Sequence, residues 1–383
     1  MPRIRTTALA SALTAASLAL VGPGGAAGAA AARPSQFSAH TERTLNDIVV
    51  SGMGAATLPG MVVGVWVPGR GSFVRALGTS NLSTGAPIGL NDHFRIASIT
   101  KSFVATTVLR LVDQGRLSLN DRLSRYVRGI PNGDRITIAQ LLNMTSGIYD
   151  YVADPALLRT YNSNPLLPFD LGRLVAIVRR HKPLFAPGAA AVYDNSNYYL
   201  LGVIAERAAG KPLPALVKTE ILDRLGMTHT SFPTTSALPA PFSHGYLAQP
   251  NFPPRDVTGS NPAFAGGAGA MISTLADLRI WARALATGSL LSPALRDAQQ
   301  RTRVLSRSPK VTLRYGMGLT DVNGLLGHDG AINGYGSAMF YLPSAKATIV
   351  LLANKNDANA PAPLIPAVAL AAYLFPEQFP RGI

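Results

Sequence analysis

The sequence of 383 residues contains no cysteine. The chain therefore has no disulfide, no thiol nucleophile and no thiolate ligand for a metal ion. It also has no cysteine that could carry a lipid after a leader segment. Catalysis through a cysteine and membrane attachment through a lipidated cysteine are both excluded.

Charged residues are also scarce, and acidic residues are the scarcer kind. They make up 14% of the chain, with 20 Asp and Glu against 35 Lys and Arg, and the formal net charge at pH 7 is +15. The basic residues are scattered, and a dense cluster at 301–310 contains no aromatic side chain. We therefore predict no nucleic-acid partner, but a solvated surface suited to contact with an anionic cell wall. With 47% hydrophobic residues, the chain is expected to be globular.

Long apolar runs are missing as well, since a membrane-spanning helix needs about 20 apolar residues. The run at 8–21 follows two arginines and precedes small residues with Ala-x-Ala spacing, an order typical of a secretory signal peptide. We predict that 1–32 form a signal peptide cleaved near 29–32, and that the mature protein is secreted or held in the cell envelope. A second run, 362–375, contains two prolines, so we predict a packed terminal helix and no stable membrane span.

Strand patterns occur toward both ends of the remaining chain. Residues 60–69 and 71–80 predict a β-hairpin. More strand candidates follow near the C-terminus, and the short turns between them make neighbouring strands antiparallel. These later candidates lie at 314–322, 324–330, 334–343 and 347–354.

Between these strands the pattern is mostly helical. Apolar residues recur at helical spacing from about 94 to 225, and again at 274–286. Strands at both ends with helices between them predict an α+β fold, in which an antiparallel sheet is flanked by helices and carries an inserted all-helical domain. The predicted boundaries are 33–90 and 262–383 for the discontinuous sheet domain and 91–261 for the helical domain.

Two segments of unusual composition interrupt this pattern. The proline-rich stretch at 233–256 is predicted to be a long surface excursion. The glycine-rich stretch at 263–271 is not followed by the Gly-Lys-Ser/Thr of a phosphate loop. We predict that it allows close backbone packing and binds no cofactor.

One serine stands beside a lysine at the predicted start of a helix. Ser98 and Lys101 form Ser-x-x-Lys, a spacing that places both on one helix face. With 26 serines and 7 lysines in the chain, a single match is unsurprising by chance. Other hydrolase signatures are missing, because no serine lies in Gly-x-Ser-x-Gly and the six histidines lack metal-binding spacing. No metal site is predicted.

Two further motifs follow the serine–lysine pair. Tyr193 and Asn195 form Tyr-x-Asn, and His328 and Gly330 form His-x-Gly. Motifs in this order resemble those of the penicillin-recognising serine hydrolases, which include β-lactamases, penicillin-binding proteins and related esterases. The spacing is similar to that of the D-alanyl-D-alanine carboxypeptidase and class C branch, and similar sequence blocks extend over about 45–357.

The resemblance implies a reaction through an acyl-enzyme on Ser98. Either Lys101 as a neutral amine or Tyr193 as a phenolate would take the serine proton, and the sequence does not choose between them. Bringing the lysine and the tyrosine into one partly desolvated pocket is expected to lower the pKa of the tyrosine.

The resemblance also implies supporting roles for other residues. Asn195 would hold Lys101 and a substrate amide. His328 would donate a hydrogen bond at the place where β-lactamases have a lysine. The backbone N–H groups of Ser98 and Ala331 would form the oxyanion hole. No cofactor and no metal ion are expected.

The implied function is that of a secreted serine hydrolase acting on a small molecule or a peptidoglycan peptide. A D-alanyl-D-alanine carboxypeptidase-like peptidase is the family default. A class C-type carboxylesterase, a β-lactamase and an inactive module that binds wall peptides stay open as alternatives.

The residues around His-x-Gly bear on the substrate. Relatives that bind a free carboxylate place hydroxyl groups after the His or Lys of this motif, and often an arginine on the preceding strand. The matching positions here look like Asp329, Ala331 and Thr320, and Asp329 would repel an anion. We expect Asp329, Gly330 and Ala331 to contact the substrate, and neutral esters to react faster than peptides ending in a free D-alanine carboxylate.

Overall fold

The computed structural model describes residues 36–167, 171–249, 252–307, 311–356 and 362–379. The predicted signal peptide lies outside the described residues, and its cleavage stays a prediction. Within the described ranges, no helix combines the length and the apolar character that crossing a membrane requires. The division into a sheet domain and a helical domain also stays a prediction.

Thirteen β-strands occur in the described part of the chain. Most of them lie in the two regions where the sequence predicts strands, before residue 90 and after residue 300. The strands are β1 Gly60–Val67, β2 Gly71–Asn81, β3 Ala86–Pro87, β4 Phe94–Arg95, β5 Tyr246–Gln249, β6 Phe252–Asp256, β7 Ile272–Ser273, β8 Arg303–Arg307, β9 Thr312–Tyr315, β10 Thr320–Val322, β11 Leu325–Ile332, β12 Tyr335–Leu342 and β13 Ala347–Ala353.

Nine of these strands, counted over the described residues, form one antiparallel sheet. Their order is β3-β2-β1-β13-β12-β11-β10-β9-β8. β1 from the N-terminal part pairs with β13 from the C-terminal part, and Val62 lies opposite Leu352. The prediction of an antiparallel sheet built from both ends of the chain is confirmed.

The structure corrects two details of the strand prediction. The single strand predicted at 314–322 is in fact β9 and β10, which pair with each other around a turn. Gly318 in this turn has φ +75°, and a Cβ atom there would lie 2.3 Å from Ala105 Cβ, so the turn packs directly on a helix. The second detail is β8, a strand in the basic cluster at 301–310 that the sequence did not predict. It is mostly exposed and lacks the alternation of apolar residues by which a strand is predicted.

Twelve α-helices occur in the described residues, and most of them lie between the two strand regions, as predicted. The proline-rich stretch at 233–256 contains the short pair β5–β6. The helices are α1 Ala39–Ala55, α2 Thr100–Asp113, α3 Leu123–Tyr126, α4 Ile138–Leu142, α5 Pro155–Ser163, α6 Leu171–Arg180, α7 Asn195–Ala209, α8 Leu213–Val217, α9 Asp223–Leu225, α10 Leu275–Thr287, α11 Pro293–Gln299 and α12 Leu364–Leu374.

The sheet is covered by helices on both faces. α1 and α12 pack against one face, and α10 packs against the other. Neighbouring residues of β1 enter different cores: Val62 packs on the α10 side, and Met61 and Val63 pack on the α1 side. Because successive strand residues point to opposite faces, the central strands are apolar at nearly every position. α12 corresponds to the apolar run at 362–375, which is confirmed as a packed terminal helix.

The first turn of α2 is fixed by contacts from other elements. A 3-10 turn, Ala97–Ile99, precedes the helix and lies against β11 and β12. Trp281 of α10 donates a hydrogen bond from Nε1 to Ser102 Oγ at 2.8 Å. Its ring also stacks on Phe103, with 4.3 Å between the ring centroids. The start of the helix that carries Lys101 is therefore held rigidly.

Candidate active site

Ser98 lies in the 3-10 turn before α2 and lines a cavity of about 880 Å³. The preceding residue, Ala97, has φ +48°, a left-handed conformation that a non-glycine residue adopts at a cost. Backbone strain of this kind persists only where the surrounding structure enforces it, and it is frequent at active sites. The turn thereby holds the half-buried Ser98 at the cavity surface.

β11 passes directly beside this turn, and a glycine makes the close approach possible. A Cβ atom at Gly330 would lie 2.6 Å from the Ile96 carbonyl oxygen and 2.8 Å from the Ser98 nitrogen. A side chain at this position would therefore push the strand away from Ser98. β10 pairs with β11 only as far as Gly327, so among the described residues the edge at 328–332 has no partner strand on that side.

Lys101 is fully buried next to Ser98. Its Nζ donates a hydrogen bond to Ser98 Oγ at 2.9 Å. It also donates to Asn195 Oδ1 at 2.9 Å and to the Ala268 carbonyl oxygen at 2.7 Å. These acceptors fix the position of the amine relative to the serine hydroxyl.

Burial lowers the pKa of Lys101 to about 7, because the dry site disfavours the charged form. The charges of Asp150, Asp329 and Asp194 act in the opposite direction and raise the pKa. A large fraction of the amine is therefore neutral near pH 7, and it can accept a proton.

Tyr193 lies beside Ser98 and Lys101, but its acidity differs from the expectation. Its hydroxyl hydrogen-bonds with Ser98, and Lys101 Nζ lies 4.9 Å from its ring centroid. Although the residue keeps 36% of its surface exposed, burial raises its pKa well above the ordinary value, and Asp329 and Asp150 add to the rise. The expectation of a lowered tyrosine pKa is therefore wrong, because burial outweighs the hydrogen bond with Ser98, which acts to lower the pKa.

Asn195 is the first residue of α7 and links Lys101 to an acidic residue. Its Oδ1 accepts from Lys101, and its Nδ2 donates to Asp150 Oδ2 at 3.0 Å. The preceding Asp194 caps the helix, accepting from the backbone N–H of Ser196 at 2.6 Å. The two side-chain partners fix the orientation of the amide.

His328 is buried behind the tyrosine, with its ring centroid 6.2 Å from that of Tyr193. Its Nδ1 lies 2.6 Å from the Asp329 carbonyl oxygen, so Nδ1 carries the proton and donates it. Its Nε2 then accepts from the Tyr315 hydroxyl at 3.2 Å. Burial and the nearby Lys101 lower its pKa to about 3, so the imidazole is neutral.

Asp329 lines the cavity on the same strand. Burial raises its pKa to about 6, so the group is mostly a carboxylate at neutral pH. It forms no ion pair among the described residues. The described residues that line the cavity include no Lys, Arg or His, so these walls offer no cationic side chain to pair with a free carboxylate.

One wall of the cavity is apolar and aromatic. Tyr161 and Phe264 stack with 3.9 Å between their ring centroids, and the Tyr151 hydroxyl donates to the Phe264 carbonyl oxygen at 3.0 Å. Val152 and Leu158 complete this wall. It offers an apolar surface to a substrate side chain that enters the cavity.

The structure brings all the predicted site residues together, and it adds three that the sequence did not reveal. Asp150 holds Asn195, Tyr315 holds His328, and Ala268 accepts from Lys101 through its backbone. Only Ala268 has a sequence signal, because it lies in the glycine-rich stretch at 263–271. Among the described residues, no group of three or more His, Asp or Glu side chains is arranged to hold a metal ion.

Comparisons with known proteins agree with this geometry. The family model described as Beta-lactamase matches residues 45–374. A D-stereospecific amidohydrolase from Streptomyces sp. superposes with a TM-score of 0.73 at 33% identity, covering 82% of this chain and 93% of that one. A β-lactamase of Pseudomonas fluorescens is 28% identical over 189 residues, which are 49% of this chain and 50% of that protein.

A penicillin-binding protein of Bacillus subtilis (strain 168) is 25% identical over 304 residues, which are 74% of this chain and 66% of that protein. The chain thus spans about half to two thirds of the length of these curated relatives. The family model nevertheless covers most of the chain, and the antiparallel sheet with its flanking helices agrees with the solved structure. We conclude that the chain belongs to the β-lactamase family and has the serine hydrolase fold shared by β-lactamases, penicillin-binding proteins and related amidases.

Proposed function

We propose that the protein hydrolyses amides or esters of small, D-amino-acid-like acyl groups through an acyl-enzyme on Ser98. The observation that carries this proposal is the 2.9 Å hydrogen bond between Ser98 Oγ and the buried amine of Lys101. A nucleophile in contact with a base of matched pKa is what acyl transfer near neutral pH requires.

In the first step, neutral Lys101 takes the hydroxyl proton as Ser98 Oγ attacks the substrate carbonyl carbon. The bond between that carbon and the leaving nitrogen or oxygen then breaks, and the leaving group receives the proton. In the second step, water attacks the acyl-enzyme and gives a proton to Lys101, which returns it to Ser98. Tyr193 stays a phenol, so it relays protons by hydrogen bonding and is not the base.

The backbone N–H groups of Ser98 and Ala331 are the proposed oxyanion hole. The close approach of β11 at Gly330 supports this assignment, because it puts the free edge of the strand beside the nucleophile. A developing oxyanion would then lie between donors that need no rearrangement. Asn195 acts as a positioning residue for Lys101. Both ring nitrogens of His328 are engaged, by the Asp329 carbonyl oxygen and the Tyr315 hydroxyl, so this histidine has no free N–H to donate to a substrate.

The proposed leaving group is neutral, because Asp329 lines the cavity and no described basic residue does. The D-stereospecific amidohydrolase from Streptomyces sp. and a D-amino acid amidase from Ochrobactrum anthropi SV3 favour an amide with a D-configured acyl group as the substrate class. A D-alanyl-D-alanine carboxypeptidase is the second candidate, since a curated relative is named a penicillin-binding protein. A carboxylesterase or a β-lactamase would use the same acyl-enzyme, whereas an inactive binding module would form none.

The pH dependence of acylation tests the proposed base. Because neutral Lys101 accepts the proton, kcat/KM for a neutral ester should rise as the pH increases through about 7 and then level off. The charges of Asp150, Asp194 and Asp329 raise the pKa of Lys101, so substituting one of them by Asn should lower the midpoint. The control is Tyr193→Phe, which should slow acylation and leave the midpoint unchanged. If the rise of kcat/KM with pH is lost in Tyr193→Phe, the titrating group is Tyr193 and not Lys101.

The effect of Asp329 on substrate choice gives a second test. At a separation of about 5 Å and an effective dielectric constant near 20, two like charges cost roughly 3 kcal/mol, which is on the order of a hundredfold in rate. Asp329→Thr should therefore raise kcat/KM for a diacyl-Lys-D-Ala-D-Ala peptide relative to p-nitrophenyl butyrate. The gap between these substrates in the wild type should narrow below about pH 6, where the carboxyl group is protonated.

The matched control for this test is Asp47→Asn, which removes an exposed acid from α1. It should leave the ratio of the two substrates unchanged. Faster cleavage of the anionic peptide than of the ester by the wild type would contradict the proposed neutral leaving group. It would support the D-alanyl-D-alanine carboxypeptidase instead.

We also propose that the protein is exported and loses residues 1–32 or slightly fewer. Mass spectrometry of protein from the culture medium and the cell envelope should find an N-terminus near 29–33. An intact Met1 on the extracellular protein would contradict this proposal.

A further inference from the structure

A group of exposed arginines gathers around α3, away from the cavity. Three of them belong to the segment 122–135, and the other two stand at the C-terminal ends of α6 and α7. None of the five lines the cavity described above. This arginine patch consists of Arg122, Arg128, Arg135, Arg179 and Arg207.

Main-chain carbonyl groups hold three of these guanidinium groups in place. Arg122 Nη1 donates to the carbonyl oxygen of Arg135 at 2.7 Å, and Arg179 Nε donates to that of Arg128 at 3.1 Å. Arg207 donates to the Tyr126 carbonyl oxygen. These contacts join 122–135 to the ends of α6 and α7, so the five side chains share one surface.

The hydrogen bonds restrict the arginines without neutralising them. Within the described ranges, none of the five forms an ion pair with a carboxylate. Asp121 stands in the same region, but it is engaged by Arg125 at 2.9 Å and by the Tyr126 hydroxyl at 2.8 Å. Asp134 is exposed there and offsets one charge. The surface therefore keeps a net positive charge on side chains that are already partly ordered.

We propose that the arginine patch binds a flexible, soluble polyanion that carries phosphate groups along its chain. Guanidinium groups bind phosphate through paired N–H donors, and each contact releases a counterion from the polymer. Ordering of the side chains by the main chain lowers the entropy lost on binding. Binding at this surface would localise the protein on the polymer without covering the cavity.

The surroundings of the patch favour such a polymer over a membrane or a nucleic acid. A peripheral membrane surface combines basic residues with exposed apolar ones. Among the described residues, the large exposed apolar ones in 116–135 and 179–211 are Leu184, Val192 and Tyr193. Val192 and Tyr193 line the cavity, which none of the patch arginines does. Single-stranded nucleic acids stack on exposed rings. The ring within this segment, Tyr126, is half-buried, and Arg125 lies over it at 5.5 Å from the centroid.

The test measures the affinity of the intact protein for long-chain inorganic polyphosphate. Binding is monitored by fluorescence anisotropy at several salt concentrations. The variant Arg122→Gln/Arg128→Gln/Arg179→Gln should bind at least about thirtyfold more weakly at 0.1 M salt, and its slope of log K against log salt should fall by about two. The matched control Arg43→Gln/Arg283→Gln/Arg301→Gln removes the same charge elsewhere and should bind within about threefold of the wild type. Hydrolysis of a neutral ester should be unchanged in both.

A third variant separates charge from folding. Replacing the same three arginines by lysine keeps the charge, so most of the affinity should return, and every variant should still unfold in one cooperative transition. Equal losses in the patch variant and the control would overturn the proposal, because net charge alone would explain binding. Tighter binding of a single-stranded oligonucleotide, or of vesicles containing anionic lipid, would overturn it in favour of that partner.

Discussion

Ser98→Ala is expected to abolish covalent labelling and to lower turnover by about four orders of magnitude. The substitution removes the only atom proposed to carry the acyl group, while the 3-10 turn before α2 and the cavity walls stay intact. A fluorescent penicillin or fluorophosphonate would reveal the acyl-enzyme on a gel, and p-nitrophenyl butyrate would report turnover. The same gel distinguishes an enzyme from an inactive binding module, which would not label.

The matched control for this prediction is Ser306→Ala, because Ser306 also lines the cavity but lies on β8. This variant should label and turn over as the wild type does. Wild-type turnover by Ser98→Ala, or loss of labelling only in Ser306→Ala, would contradict the proposed nucleophile.

Lys101→Ala is expected to slow acylation nearly as much as the loss of Ser98 does. The nucleophile would lose its base, and the acceptors on Asn195 and Ala268 would lose their shared donor. Because the serine and the lysine act as a unit, the double variant with Ser98→Ala should be no slower than Ser98→Ala alone. Single-turnover stopped-flow kinetics with p-nitrophenyl butyrate measures the acylation step directly.

Lys101→Arg separates proton transfer from charge. Arginine keeps the positive charge but stays protonated at any working pH, so this variant should also be inactive. Lys101→Met fills a similar volume without a charge and serves as the folding control, which should melt cooperatively. Recovery of acylation in Lys101→Arg would show that the lysine acts as a fixed charge and not as a base.

Local patterns in the sequence predict much of the fold. The hairpin at 60–80 and the later strands have apolar alternation and turn residues, so their antiparallel pairing follows from short-range rules. The split of 314–322 into β9 and β10 could not be predicted in this way. It depends on Gly318 packing against Ala105, a contact between residues far apart in the sequence.

The sequence also predicts only part of the candidate site. The order of the motifs predicts that Ser98, Lys101 and Tyr193 act together, and the structure brings them into contact. The acidities could not be predicted, because they depend on burial, which is a tertiary property. For that reason the sequence predicts a lowered pKa for Tyr193, whereas the folded protein raises it.

The residues that hold the motif side chains in place could not be predicted from the sequence either. Asp150 and Tyr315 are ordinary residues in their local sequence, and only the fold brings them to Asn195 and His328. They carry no spacing signal, since their partners lie on other elements.

The measurement that tests the central proposal most directly is mass spectrometry of the protein quenched in acid seconds after mixing with p-nitrophenyl butyrate. We expect a single butyryl group on the peptide that contains Ser98, present in the wild type and in Tyr193→Phe and missing in Ser98→Ala. Its rate of appearance should rise with pH through about 7, as the titration of Lys101 requires. Turnover without an acylated peptide, or acylation of a residue other than Ser98, would contradict the account.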